Sequence, residues 1–220
     1  DQSVKFARQA DLPAAAASTG TVLVVDASKT YQSMEGFGFT LNGGSAMLLR
    51  KMAPAKRAAL IKELFSPEDG IGVSYLRVSV GASDLDERVF SYDDMPPGET
   101  DPTLARFSLA PDRQHLLPVL REILAVSPDI NIMGSPWSAP AWMKDNGSPI
   151  AGKLKPEHYG AYAAYLVNYV RAMAREGVRV DALTIQNEPL NPKNNPSMVM
   201  TAAEQAVFLR DHLGPAFAAA

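Results

Sequence analysis

PEHYGAYAAYLVNYVRAMAREGVRVDALTIQNEP, residues 156–189, contains a helix, its stop and a strand in one continuous reading. Pro156 opens it, because proline suits a helix's first turn, where its missing N–H is not needed. Tyr159, Tyr162, Leu166, Tyr169, Val170 and Met173 recur at helical spacing, and Gly177 supplies the C-terminal stop. Val180–Gln186 then reads as a strand. It ends in Asn187-Glu188-Pro189, where apolar patterning gives way to polar groups. The tyrosine stripe is expected to be core, with its hydroxyls reaching the rim.

The same strand, loop and helix order extends upstream. Gly36–Leu41 is an apolar strand bounded by Asn42-Gly43-Gly44, and Pro54 opens a helix that Ser66-Pro67 stops. Val73–Val80 is the next strand. A long loop follows, in which Asp112 could cap a short turn, and Pro118 suits the first position of a helix to about Val126. Ile130–Gly134 is the third strand, leading into Ser135-Pro136-Trp137. Downstream, Ala202–Leu213 forms a last helix. Four such units argue for an α/β fold with a parallel sheet and outer helices. The long loops all follow strands, so function should gather at the strand C-terminal ends, as in α/β barrels and doubly wound sheets. No G-x-G-x-x-G fingerprint follows the first strand, which disfavours a nucleotide fold.

Residues 1–34 read differently. A polar, alanine-rich lead-in runs to Gly20, Thr21–Asp26 is a β-branched strand, and Thr30–Glu35 is a second strand candidate. With no helix between them, they look like a hairpin of a sheet beside the main domain, which occupies residues 35–220.

Composition excludes several classes. The 220 residues are 46% hydrophobic and carry a formal net charge of −3, so no basic face invites nucleic acid. No segment offers the roughly 20 apolar residues of a membrane span. Cysteine is absent, which removes disulfides and thiol chemistry. His115, His158 and His212 stand far apart, so neither a metal nor a cofactor is expected. Asp93-Asp94 and Glu68-Asp69 read as solvated loop charges. No signal peptide is visible in Asp1–Gly20.

Chemistry therefore rests on the strand ends. Glu188 follows the apolar run ALTI, which aims its carboxyl into the mouth of the sheet while Pro189 fixes the turn. Asn187 offers both donor and acceptor, suiting a sugar hydroxyl. Arg77 sits inside VSYLRVSV, where a guanidinium needs an opening or a partner such as Asp84 or Glu188. Trp137 and Trp142 lie in one loop, and indole faces stack on sugar rings; Trp137 is expected at the site and Trp142 in packing.

Four segments together carry a resemblance: Glu35-Gly-Phe-Gly-Phe39, Tyr75–Asp84 (YLRVSVGASD), Ser135–Lys144 (SPWSAPAWMK) and Thr184–Pro189 (TIQNEP). In this order they resemble glycoside hydrolase family 30, which includes acid β-glucosidase (glucosylceramidase) and endo-β-1,6-glucanases. The resemblance implies a (β/α)₈ barrel with a side β-sandwich that takes up the first strand, and a secreted or periplasmic protein. It implies Glu188 as catalytic acid/base, Asn187 at the sugar 2-hydroxyl, Arg77 holding the catalytic carboxylates, and Asp84 and Trp137 binding the sugar. Thr40-Leu-Asn-Gly-Gly44 departs from the Met-Thr-Asp loop of acid β-glucosidase, which weighs against a lipid-linked substrate and leaves glucan or glucoside cleavage open. The family's nucleophile, a Glu closing the seventh strand, has no counterpart here. Four units occupy nearly the whole chain, so the other half of the barrel is expected from a longer polypeptide or a second chain. The alternatives are a non-catalytic carbohydrate-binding barrel and another retaining glycosidase of the same clan.

Overall fold

The computed structural model describes residues 10–11 and 20–220, and a division falls between Met34 and Glu35. Before that division, Val22, Leu23, Val24 and Val25 are exposed, and residues 20–34 hold no strand. The Thr21–Asp26 strand and its hairpin therefore do not form here. A strand exists through its ladder, and Thr21–Asp26 has no partner strand among the described residues. The intervening turn does form, with Lys29 N donating to Asp26 O at 3.1 Å. Most of the expected lead-in lies outside the described residues.

The second unit is a four-stranded parallel sheet: β1 (Gly38–Leu41), β2 (Tyr75–Val80), β3 (Asn131–Pro136) and β4 (Ala182–Leu183), paired in chain order. A doubly wound sheet reverses its strand order at a switch point. Uninterrupted order with a helix between successive strands is instead the arrangement of a barrel opened along one side.

The register places Thr40, Arg77, Met133 and Ala182 side by side across all four strands. Alternation then sorts the side chains. Leu76, Val78, Val80 and Ile132 are buried in one core with Leu117, Leu120 and Ile123 of α3 (Leu116–Val126) and Leu166 of α4 (Tyr159–Arg175). Tyr75, Arg77 and Met133 occupy the other face and stay half-buried.

Several boundaries differ from the sequence reading. Helix α1 (Gly43–Lys51) was masked by its Asn-Gly-Gly start, yet Asn42 caps it by accepting from Ser45 N at 2.8 Å. Gly44 is required because a Cβ there would lie 1.8 Å from Leu85 O. Helix α2 (Pro54–Phe65) ends at Ser66 as expected. In α3, Pro118 is the third helical residue, still within the turn whose N–H groups need no helical partner. Asp112 does not cap; it is buried and accepts from Tyr92 Oη at 2.5 Å. A 3₁₀ turn, Pro156–His158, precedes α4, and Gly177 adopts φ 80° just beyond its end. β4 is shorter than Val180–Gln186, because it pairs only along Met133–Gly134. Helix α5 (Ala202–Phe208) opens with a Thr201/Glu204 capping box and passes through a π turn, Leu209–Leu213, into α6 (Gly214–Ala218).

The tyrosines of α4 go deeper than expected. Tyr162 and Tyr169 are fully buried, their hydroxyls have no partner among the described residues, and burial pushes both phenols well above their usual range.

Candidate active site

The polar groups at the C-terminal ends of the strands converge on Arg77. Its Nη2 donates to Ser135 Oγ at 2.8 Å and Asn187 Oδ1 at 2.6 Å, so one guanidinium ties β2 to the ends of β3 and β4. Ser135 Oγ in turn lies 2.6 Å from Thr184 Oγ1. The Arg77 Cζ stands 4.6 Å from the centroid of the Trp137 ring, a cation–π distance. Burial pulls the guanidinium's pKa down, while the charges of Glu188 and Asp84 oppose that shift. The two acids thus act on Arg77 through space, while its hydrogen bonds go to neutral partners.

Trp137 Nε1 donates to Asp84 Oδ1 at 3.0 Å. Asp84 itself is exposed, whereas Trp137 is 5% exposed and has Arg77 over its ring. Trp137 therefore forms the floor that orients Asp84 and Arg77. Trp142 is packed: it meets the His158 ring edge-on and donates to the Asp93 carbonyl at 3.0 Å.

The Asn187-Glu188-Pro189 segment hangs from β3. Asn187 N donates to Pro136 O at 2.8 Å, and Gln186 Nε2 donates to Trp137 O at 2.7 Å. Glu188 adopts φ 42°, a left-handed conformation uncommon outside glycine and asparagine. Backbone strain of this kind costs about 1–3 kcal/mol and persists where surrounding bonds dictate it. Here they reverse the chain and leave the carboxyl exposed at the sheet's mouth. Glu188 Oε1 and the Asn187 amide NH₂ have no partner among the described residues, while Glu188 Oε2 accepts from Asn191 and Asn194. Arg77, Asp84, Trp137, Asn187 and Glu188 are therefore drawn together from β2 and from the segments that follow β2, β3 and β4.

Sequence reasoning missed three neighbours. Asn191 and Asn194 lie in the Pro- and Asn-rich loop between Pro189 and Ala202, where the sequence pattern singles out no residue. Lys144 is 1% exposed and donates to Ser138 Oγ at 2.9 Å and Ser197 O at 2.7 Å, and burial lowers its ammonium to about 7. Asp93 is also corrected: it is no solvated loop charge but 1% exposed, and burial, followed by the Asp101 charge, raises its carboxyl to about 6.

Comparison with known proteins gives a consistent set of similarities. The glycosyl hydrolase family 30 TIM-barrel domain matches residues 34–220. An endo-1,6-beta-D-glucanase of Neurospora crassa is 33% identical over 84% of this chain and 39% of its own length. The lysosomal acid glucosylceramidase of Mus musculus is 30% identical over 91% of this chain and 40% of its own. Among solved structures, the endo-beta1,6-glucanase BT3312 superposes with a TM-score of 0.82 at 37% identity, covering 88% of this chain and 43% of that one. The chain thus spans about two fifths of the length of the curated relatives it matches.

Proposed function

The chain belongs to glycosyl hydrolase family 30, and from that premise we propose that it supplies the acid/base half of a retaining β-glycoside hydrolase. The observation that carries this reading is the Glu188 carboxyl just beyond β4, its Oε1 without a partner among the described residues, beside the Arg77–Asn187 pair. Glu188 donates its proton to the leaving oxygen as a nucleophilic carboxylate, roughly 5–5.5 Å away, attacks the anomeric carbon. It then takes a proton from the water that releases the sugar. Asn187, with its Oδ1 held by Arg77, turns its free NH₂ towards the sugar 2-hydroxyl. Asp84, held by Trp137, binds the same sugar, and Trp137 lines the floor beneath it.

The nucleophile comes from four further strands, in a continuing polypeptide or a second chain. The half-buried face around Arg77 and Met133 and the outer edges of β1 and β4, unpaired among the described residues, support that completion. A β-1,6-glucan is the favoured substrate class, because the endo-1,6-glucanases named above match at 33% and 37% identity, against 30% for the glucosylceramidase. A polymer of that kind does not cross membranes, which supports a secreted or periplasmic location; no helix among the described residues is long and apolar enough to cross one.

Glu188→Gln in the completed barrel is the test. Turnover of substrates with poor leaving groups should fall by about 10²–10⁴, the usual contribution of general acid catalysis. Turnover of activated aryl glycosides should fall far less in its first step. Equal losses on both substrates contradict the assignment.

A further inference from the structure

Among the described residues, Glu188 is gripped on one oxygen only. Oε2 accepts from Asn191 Nδ2 at 3.0 Å and Asn194 Nδ2 at 3.1 Å. The loop after Pro189 is built to present both donors. Asn191 N donates to Glu188 O at 2.9 Å, closing a turn with Pro189 at its second position, where the ring presets φ. The oxygen ends of the two amides are taken by backbone N–H groups: Lys193 N on Asn191 Oδ1 at 3.1 Å, and Asn195 N on Asn194 Oδ1 at 3.2 Å. A backbone N–H can only donate, so these bonds settle which end of each amide is oxygen and turn both NH₂ groups towards Glu188.

The far end of the loop is anchored as well. Ser197 N donates to Pro149 O at 3.0 Å, Met200 N to Pro189 O at 2.9 Å, and the buried Lys144 ammonium grips Ser197 O at 2.7 Å. The loop is held at both ends, and its two half-buried asparagines meet on one carboxylate oxygen.

We propose that Asn191 and Asn194 are positioning residues that hold Oε2 of Glu188 and reserve Oε1 for the transferable proton. The inference rests on the acid/base reading above and refines it. With two N–H donors on Oε2, the proton resides on Oε1. It passes from Oε1 to the departing oxygen as the glycosidic C–O bond breaks and that bond's electrons go to the departing oxygen, while the nucleophilic carboxylate bonds to the anomeric carbon. In the second step a proton returns to Oε1 from the attacking water, whose oxygen bonds the same carbon and frees the nucleophile. Without the two amides the carboxyl can rotate, and a misplacement of about 1 Å costs on the order of 10²-fold in rate.

The experiment uses the full-length barrel carrying this sequence, with Asn191→Ala/Asn194→Ala, Asn191→Asp and Glu188→Gln compared on β-glucosides with alkyl and dinitrophenyl leaving groups. The double alanine variant should lose about 10²-fold in kcat/KM on the alkyl substrate and under tenfold on the activated one. Asn191→Asp conserves volume and stands in for the double variant if that fails to fold. Setting a second carboxylate against Oε2, it should move the alkaline limb of the pH profile upward by about one unit. A split in Glu188→Gln with none in the double variant, or an unmoved limb in Asn191→Asp, overturns the positioning role alone. No split in Glu188→Gln overturns the acid/base reading and this inference with it.

Discussion

Replacing Arg77 with Met should separate stability from catalysis, and the structure supplies the size of each effect. The substitution removes two hydrogen bonds from a charged donor, to Ser135 and Asn187, each worth about 1.5–3 kcal/mol when a charge is involved. It also removes a cation–π contact with Trp137 worth about 1 kcal/mol. Against these stands relief of the desolvation that lowers the guanidinium's pKa. Ser135 keeps its Thr184 partner, and the half-buried Asn187 amide can turn to water. The net loss of stability should be small, about 1–3 kcal/mol, within the ordinary range for single substitutions. Catalysis has no such compensation, since Asn187 loses the bond that aims its NH₂. A fall in kcat/KM of about 10²–10³, equivalent to about 3–4 kcal/mol of transition-state stabilisation, is expected in the completed barrel. Urea unfolding of the chain gives the first number, and steady-state kinetics on an aryl β-glucoside gives the second. A variant that unfolds with wild-type midpoint and retains full kcat/KM would refute the role assigned to Arg77.

Three further substitutions probe the scaffold. Gly134→Ala places a Cβ 2.7 Å from Leu183 Cδ2 and 3.1 Å from Tyr169 Cε1, so overpacking should cost about 1–3 kcal/mol, read as a lowered urea midpoint. Asp93→Asn mimics the protonated acid. Because the folded carboxyl titrates at about 6 rather than 3.8, the wild type loses stability as pH rises between those values. The variant should match it near pH 4 and exceed it by up to about 3 kcal/mol at pH 8, measured by denaturation at both pH values. Lys144→Met addresses the opposite case, a base lowered from 10.5 to about 7. Its folded state binds fewer protons than its unfolded state between those values, so wild-type stability rises with pH across that window, and the variant should flatten the slope.

The α/β class was legible because helix and strand periods are written into separate stretches, 159–173 and 73–80 being the clearest. Glu188 and Asn187 were legible because a polar pair after ALTI has no packing purpose. Three things were hidden. The start of α1 looks like loop until Asn42 is seen accepting from Ser45 N, and Gly44 until Leu85 O is seen against it. Thr21–Asp26 has strand composition, but a strand also needs a partner, which a local pattern cannot supply. Asp93, Lys144 and the asparagines after Pro189 look like ordinary loop residues, since their burial and partners arise from segments some 50 residues away or from turns that only the folded chain closes.

Chemical rescue addresses the role of Glu188 most directly. Glu188→Ala in the completed barrel, given an activated β-glycoside and azide, should form a glycosyl-enzyme that azide then opens, and proton NMR should show a β-glycosyl azide. An α-glycosyl azide would make Glu188 the nucleophile instead, and no azide product at all would remove it from the chemistry.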